Sequence, residues 1–455
     1  MVHLFKQSGH YIALDSASGA VHVLTELSYK ILQYLKPPLS PRCPTSLRYN
    51  LAKFSGDDVN AAYEELYELY KEGMLFSEDI KIANVTPDAK YIPIKSMCLH
   101  IAHDCNMRCK YCFADTGDFH RERSLMSLEV AKKAIDFLLE KSGSIKNLEL
   151  DFFGGEPLLN FDVVKETVKY GREQEKKLGK NIRFTITTNG SLLDNESIDF
   201  INENMSNVVL SIDGRKEVND RIRTYLDGSG TYDDILPKYQ KLVEKRTNGT
   251  YYVRGTYTRE NLDFAKDVIS LAEAGFDQIS VEPVVLSDDD PLSIRREDLP
   301  RIFEEYETLT EEMIKRNKEG NAFNFFHFMV DLDAGPCVYK RMKGCGSGSE
   351  YVSVTPEGDV YPCHQFVEHT EYKLGNIFDG ELDDVRRTEF AGCNICTNPE
   401  CEKCWAKYFC GGGCAANNYK FARDIKVPYE ISCELERKRV ECALTIKAAM
   451  ASDEE

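Results

Sequence analysis

No apolar run in the 455 residues approaches the ~18 consecutive residues that a bilayer-spanning helix needs, and the N-terminus lacks the pattern of a secretory signal. These absences argue against membrane insertion and export, so the protein is expected to be soluble and cytoplasmic, with no membrane partner. Positive charge is also scarce. Lys and Arg number 57 against 75 Asp and Glu, a net charge of −18 with a pI near 5.1. A surface that tracks phosphates needs clustered Lys and Arg, so nucleic acid is not an expected partner. A peptide partner is expected to be neutral or locally basic. Without a secretory route there is no oxidising compartment, so disulfides do not account for 16 cysteines. Metal clusters are the economical explanation. The cysteines concentrate in residues 98–112 and 337–433, which indicates two regions of metal chemistry. The length allows two or three domains.

The first region is Cys105-Asn106-Met107-Arg108-Cys109-Lys110-Tyr111-Cys112, just after the apolar-rich run Ser96 to His103. Three thiolates so close together can hold three corners of an iron–sulfur cube. They can equally be part of a zinc site that takes a fourth ligand from a distance. A cube held by three cysteines leaves one iron open. Such an iron can bind the amino and carboxylate groups of S-adenosylmethionine and pass an electron into its sulfonium.

Before this motif, His3-Leu4-Phe5, Tyr11-Ile12-Ala13-Leu14 and Gly19 to Leu24, with turn residues between, predict a hairpin or short sheet. Thr25 caps a helix that Pro37-Pro38 stops, and Gly56 to Gly73 carries a second helical pattern. Residues 1–85 therefore read as a small winged-helix-like module, for which the pattern alone is also consistent with dimerisation or packing; the peptide-recognition role follows only from the resemblance given below. Residues 77–95 are the linker.

From Met97 onward, strand-like runs at 97–102, 147–153, 183–188, 208–213, 251–257 and 278–284 alternate with helical patterns near 127–139, 161–178, 195–204, 232–246 and 261–274. This predicts a partly open parallel α/β barrel with its functional groups at the carboxyl ends of the strands. Phe153-Gly154-Gly155-Glu156-Pro157 follows strand two, Thr187-Thr188-Asn189-Gly190 strand three, Ser211-Ile212-Asp213-Gly214 strand four and Val281-Glu282-Pro283 strand six. Asn219-Asp220 and Arg223 lie between. Glycines allow close backbone approach, and a carboxylate can accept from an ammonium group. The charged stretch 297–319 is expected to be a solvated helical face. Beyond it come Cys345, Cys363, Cys401-x2-Cys404-x5-Cys410-x3-Cys414 and Cys433. Cys393-x2-Cys396 precedes the run and leaves a zinc site open. Cys43, Cys98 and Cys442 are expected to be buried or incidental thiols.

The Cys-x3-Cys-x2-Cys motif after a strand, with Gly-Gly-Glu-Pro one βα unit later, resembles the radical SAM superfamily. The resemblance implies that Cys105, Cys109 and Cys112 ligate a catalytic [4Fe-4S] cluster. It implies that Tyr111 packs on adenine, that Gly154, Gly155 and Glu156 meet the methionyl amine, and that Arg223 pairs with the carboxylate. Thr188, Asn189, Ser211 and Asp213 would be further cofactor contacts, and Glu282 would touch S-adenosylmethionine or substrate. The seven later cysteines resemble the SPASM domain. That family's logic gives Cys401, Cys404, Cys410 and Cys433 to an outer [4Fe-4S] cluster and Cys345, Cys363 and Cys414 to an inner one. The fourth inner position falls to Cys337 or to a substrate thiolate.

Together with Tyr11-Ile12-Ala13-Leu14-Asp15 and Val354 to Phe366, the whole chain resembles the thioether-forming maturases of six-cysteines-in-forty-five (SCIFF) peptides. The fold implied is α/β: a winged-helix-like recognition domain (1–85), a partial (β/α)6 radical SAM barrel (96–320) and a SPASM domain (330–440). The cofactors implied are three [4Fe-4S] clusters and S-adenosylmethionine. The partners implied are a Cys-rich precursor peptide bound through its leader and a low-potential electron donor, ferredoxin or flavodoxin. The reaction implied joins a cysteine sulfur to a carbon of an acceptor residue, often threonine, after a 5′-deoxyadenosyl radical abstracts hydrogen. The alternatives are an anaerobic sulfatase-type maturase, which makes formylglycine from Cys or Ser, and a non-catalytic cluster- or zinc-binding protein.

Overall fold

In the computed structural model, residues 1–79, 87–332 and 342–451 are described. The chain opens with an antiparallel sheet of β1 (Val2–Gln7), β2 (His10–Asp15) and β3 (Val21–Leu24), in that spatial order. Three helices follow: α1 (Glu26–Leu32), α2 (Thr45–Asn50) and α3 (Gly56–Lys71). The Thr25 and Ser55 side chains accept from Ser28 and Asp58 backbone N–H groups, so both caps satisfy otherwise orphaned donors. Ala13, Ile31, Leu47, Val59, Tyr63 and Leu66 form a separate small core here.

The central body is built on one large sheet. Its strands are β4 (Ser96–His103), β7 (Asn147–Gly154), β8 (Asn181–Thr188), β9 (Asn207–Ser211), β11 (Thr250–Tyr257) and β12 (Gln278–Pro283), adjacent in that order and all parallel. Short strands β5 (Met107–Cys109), β6 (Ser124–Leu125) and β10 (Arg223–Tyr225) lie between them in sequence. Crossover helices α4 (Leu128–Lys141), α5 (Phe161–Leu178), α6 (Asn195–Asn204), α8 (Tyr232–Lys245) and α9 (Ala265–Glu273) cover the outside, with α7 (Lys216–Ile222) before β10. Alternation along the strands explains the layers. In β7 and β8, Leu148, Leu150, Phe152, Ile182, Phe184 and Ile186 are fully buried, towards the helices. Glu149, Asp151, Phe153, Arg183, Thr185 and Thr187 take the other face and line a cavity of about 420 Å³ inside the barrel.

The charged stretch after β12 is not merely a solvated face. Helix α10 (Leu299–Glu319) buries Ile302, Tyr306, Leu309 and Met313. Arg439 Nε of the C-terminal helix Glu430–Ala451 donates to Tyr306 Oη at 2.9 Å. The charges occupy one side, and the apolar side at helical spacing packs. β13 (Asn324–Phe325) pairs with β12. The chain then returns to the opposite end of the sheet, where β14 (Tyr351–Val354) pairs in parallel with β4, and β15 (Asp359–Tyr361) and β16 (Gly375–Asn376) extend it antiparallel. Short helices and loops carry most of the later cysteines, and the long C-terminal helix carries Cys433. No helix among the described residues is long and apolar enough to cross a membrane.

Phe184 stacks on Phe152 with ring centroids 5.7 Å apart, and its Cζ would lie 2.6 Å from a Cβ at Gly171. Phe184→Ala should cost the barrel about 3–5 kcal/mol, read as a lower denaturation midpoint by circular dichroism of the reduced apoprotein.

Candidate functional site

The three cysteines of the first motif face one cavity of about 250 Å³ at the carboxyl ends of the barrel strands, with Tyr111, Gly154, Gly155, Thr188, Asn189, Ser211, Arg223 and Glu282 also in its lining. Two strand ends make this possible. Cys105 to Cys112 leaves β4 and the Gly-Gly turn leaves the neighbouring β7, so the two segments pack directly. Gly155 N donates to Ala102 O at 2.8 Å and Glu156 N to Asp104 O at 2.9 Å. A Cβ on Gly154, at φ +124°, would lie 2.2 Å from Ala102 O, and one on Gly155 would lie 2.0 Å from Asp104 O. Only glycine fits there.

β5 and β10 pair antiparallel, with Arg223 opposite Cys109. Arg223 Nη1 donates to Tyr111 Oη at 2.9 Å, and Tyr111 donates to both Asp213 oxygens at 2.7 and 2.9 Å. The guanidinium is buried, and its Nε has no hydrogen-bond partner. Asn189 Nδ2 reaches Cys105 Sγ at 3.6 Å and Asn106 Oδ1 at 3.0 Å.

Glu156 and Asp213 lie behind the cavity wall, both fully buried. The Glu156 carboxyl accepts from Thr188 Oγ1 at 2.8 Å, Asn189 N at 2.7 Å and Leu158 N at 3.1 Å. Burial pushes it up to about 7 despite those donors. It braces the β8 turn against the Gly-Gly turn, and the cavity meets the glycine backbone instead. Asp213 aims Tyr111 and Arg223. Glu282 does line the cavity and accepts from Arg254 Nη2 at 2.8 Å. Burial would raise its carboxyl, but Arg254 and His327 bring it down to about 2.

The later cysteines fall into two groups. Cys401, Cys404, Cys410 and Cys433 line one cavity of about 350 Å³, with Lys407, Glu436 and Arg437 around them. Cys345, Cys363 and Cys414 lie within electrostatic reach of one another. Gly411, Gly412 and Gly413, at φ +71°, +99° and +81°, turn the chain between Cys410 and Cys414, which lets neighbouring cysteines serve different sites. Cys337 lies outside the described residues. Cys393 packs with Phe366, Phe390 and Ile425, and Cys396 with Ile395 and Tyr408. Cys43 and Cys442 are thiols in apolar packing, whereas Cys98 lines the 420 Å³ cavity.

Sequence reasoning gave no site role to Arg254, or to Phe153, His364 and Gln365 although these three stand in its motifs, and all four line the 250 Å³ cavity. Arg254 sits two residues before Thr256 on β11, so strand alternation from Thr256 points to it. His364 follows Cys363 directly. Its ring stacks on Phe153, centroids 5.0 Å apart, and meets Phe113, the neighbour of Cys112, at 5.3 Å. One aromatic layer therefore separates the first cysteine group from the Cys363 group.

Residues 99–272 match the profile of the radical SAM superfamily, and residues 345–405 match SPASM, an iron–sulfur cluster-binding domain. The chain has the α/β radical SAM fold with a C-terminal SPASM domain. Among curated relatives, it is 21% identical over 453 residues to the radical SAM cyclopropyl synthase TigE of Paramaledivibacter caminithermalis, covering 94% of this chain and 91% of that one. It is 24% identical to the cysteine-type anaerobic sulfatase-maturating enzyme of Clostridium novyi, covering 69% and 86%. Among solved structures, native anSMEcpe with bound AdoMet superposes with a TM-score of 0.64 at 22% identity, covering 78% of this chain and 99% of that one. SuiB of Streptococcus suis bound to S-adenosylmethionine gives 0.53 at 16%, covering 94% and 97%.

The two domains imply iron–sulfur clusters and S-adenosylmethionine, and the residues present fit both. Burial pushes Cys105 and Cys401 up to about 12 and 11, and Cys112 and Cys410 to about 11 and 12. Thiolates persist in such places only when a metal binds them. Among the described residues no three His, Cys, Asp or Glu side chains converge as they would on a single ion; a cube spreads its ligands over separate irons. Arg223, with a buried unpaired Nε beside the cavity, suits a carboxylate.

Asp213→Ala should release both Tyr111 and Arg223 and weaken S-adenosylmethionine binding by about tenfold or more, measured by equilibrium dialysis of the cluster-loaded protein. Unchanged affinity would remove Asp213 from this role.

Proposed function

We propose that the protein is a radical SAM peptide maturase that forms an intramolecular cysteine thioether, with threonine the favoured acceptor, in a Cys-rich ribosomal precursor peptide. The observation that carries the reading is the position of His364. It lines the same cavity as Cys105, Cys109 and Cys112 and adjoins Cys363, so a radical-generating site and an auxiliary site share one wall. When bound, S-adenosylmethionine and its cluster supply a carbon-centred radical able to take hydrogen from unactivated carbon.

The chain's own residues do the rest. Cys105, Cys109 and Cys112 hold one [4Fe-4S] cluster, and Arg223 and Tyr111, aimed by Asp213, orient the cofactor's carboxylate and adenine. The Gly154-Gly155 backbone, with Thr188, Asn189 and Ser211, completes that wall. Cys401, Cys404, Cys410 and Cys433 hold the outer cluster, and Cys345, Cys363 and Cys414 the inner one. The fourth inner place goes to the substrate thiolate rather than Cys337. Coordination there would keep the sulfur ionised and beside the acceptor carbon, and the electron left over when the carbon–sulfur bond closes would pass to that cluster. Arg254 and Glu282 face the peptide. Residues 1–85 bind the leader along a free edge of the β1–β2–β3 sheet, residues 96–320 are the catalytic barrel and 330–440 the auxiliary domain. Ferredoxin or flavodoxin supplies the first electron.

The printed names of the relatives, a cyclopropyl synthase and sulfatase-maturating enzymes, support a peptide or protein substrate. The match to the cyclopropyl synthase across 94% of this chain supports a role for the N-terminal module as well.

Anaerobically reconstituted protein should hold about twelve irons, three cubes' worth. Replacing Cys105, Cys109 and Cys112 together with alanine should remove about four and abolish S-adenosylmethionine cleavage. Incubated with Cys-rich peptides encoded beside its gene, the protein should yield a product lighter by the two hydrogens lost per crosslink, its thioether located by tandem mass spectrometry. A formylglycine product would instead establish the sulfatase-type reading.

A further inference from the structure

The loop that joins Cys404 to Cys410 is gripped from outside its own domain. His3, in β1, lies flat on Trp405, with ring centroids 3.7 Å apart and planes 4° from parallel. Trp405, the chain's one tryptophan, adjoins Cys404. His3 Nε2 also lies 2.9 Å from Glu441 Oε1 on the C-terminal helix, which carries Cys433. A second grip comes from the other end of the module. The Asp79 carboxylate accepts from Lys407 Nζ and, at 2.5 Å, from Tyr408 Oη. Lys407 is buried and lines the same cavity as the four cysteines. A buried ammonium is costly without a counter-charge, and Asp79 supplies it.

Asp79 is itself anchored. Two residues earlier, Ser77 donates its backbone N–H and its hydroxyl to Asp15 Oδ2 at 2.8 and 3.0 Å, and Asp15 is fully buried at the end of β2. Between the two grips, Phe5, Ile12 and Leu14 pack on Val440, Leu444 and Ala448 of the C-terminal helix. Gln7 Nε2 donates to Cys442 Sγ at 3.3 Å and Gln7 Oε1 accepts from Lys438 Nζ at 3.2 Å. Three of the four cysteines around that cavity are thus carried by segments the N-terminal sheet touches.

We propose that the N-terminal module is a wall of the outer cluster site, with His3 and Asp79 as positioning residues that hold Trp405, Lys407 and Tyr408. Through them they hold the Cys404–Cys410 loop in its ligating conformation. The inference rests on the assignment of Cys401, Cys404, Cys410 and Cys433 to a cluster. Among the described residues β3 is an edge strand, two strand spacings, about 10 Å, from β1. Peptide docked there and iron bound at the loop therefore act on one packed unit, and any coupling between them is reciprocal.

The test uses the full-length, anaerobically reconstituted protein. Its iron content checks the cluster assignment; the variants check the positioning. Asp79→Asn, alone and with His3→Ala, should speed release of the outer cluster's iron to a chelator by about tenfold or more. It should also shift that cluster's paramagnetic resonance signal and midpoint potential, and Asp79→Glu should restore both in part. Release from the first cluster should not change. His3→Ala should red-shift the Trp405 emission. Wild-type release, signal and potential in the double variant would overturn the proposal. A measurement that needs neither substitution is hydrogen exchange in a Cys401→Ala/Cys433→Ala protein. Emptying the outer site should accelerate exchange in β1 and β2, and unchanged protection there would equally overturn it.

Discussion

The architecture depends on the contact between the cysteine loop and the Gly-Gly turn. Parallel pairing of β4 with β7 places both segments at one edge, and the two backbone hydrogen bonds from Gly155 and Glu156 bring them closer than any side chain allows. The open side of the first cysteine group and the backbone of the turn then face the same space. Later strands of the sheet bring in their residues in order, Thr188 and Asn189 by β8, Ser211 by β9, Arg254 by β11 and Glu282 by β12, while Arg223 arrives on β10 and His364 and Gln365 just after β15. A polar inner face replaces the branched apolar packing of a closed barrel interior. The barrel is consequently hollow and wettable where chemistry is proposed, and its stability comes from the outward Leu, Ile and Phe residues under the helices.

The auxiliary region is not appended to this barrel but continues it. β14 pairs with β4 from Tyr351 opposite Ser96 to Val354 opposite Leu99, and the β14–β15 hairpin leads straight into Cys363 and His364. The distance between the first and second cysteine groups is therefore set by a hydrogen-bond ladder and an aromatic layer.

Much of this was legible in the sequence, for reasons that differ by element. The six barrel strands announce themselves as strand-like runs set between helical patterns, and the prediction of 147–153 differs from the observed β7 by one residue. The cysteine groups are legible because ligand spacing is a local property. Arg223 was read as a carboxylate partner, but not how it gets there, since β5 and β10 are three residues each and too short for any periodicity. Glu156 was expected at the cavity; its oxygens are instead taken by donors from the following strand and from its own turn, a choice that depends on contacts 33 residues apart. Helix α10 was read by its charges, although its apolar stripe decides its packing. Asp79 carries no sequence signal at all, because its partners lie more than 300 residues away.

The parallel β14–β4 ladder also bears on how the molecule can be divided. A fragment ending after β12 or β13 would expose the flank of β4 as an unpaired strand edge rich in buried apolar residues, a template for aggregation. A fragment starting after it would leave the β14–β15–β16 ribbon without its supporting strand. Cloning boundaries drawn between barrel and auxiliary region would thus cut through a single sheet, and chimaeras that exchange one half should carry β4 and β14 from the same parent.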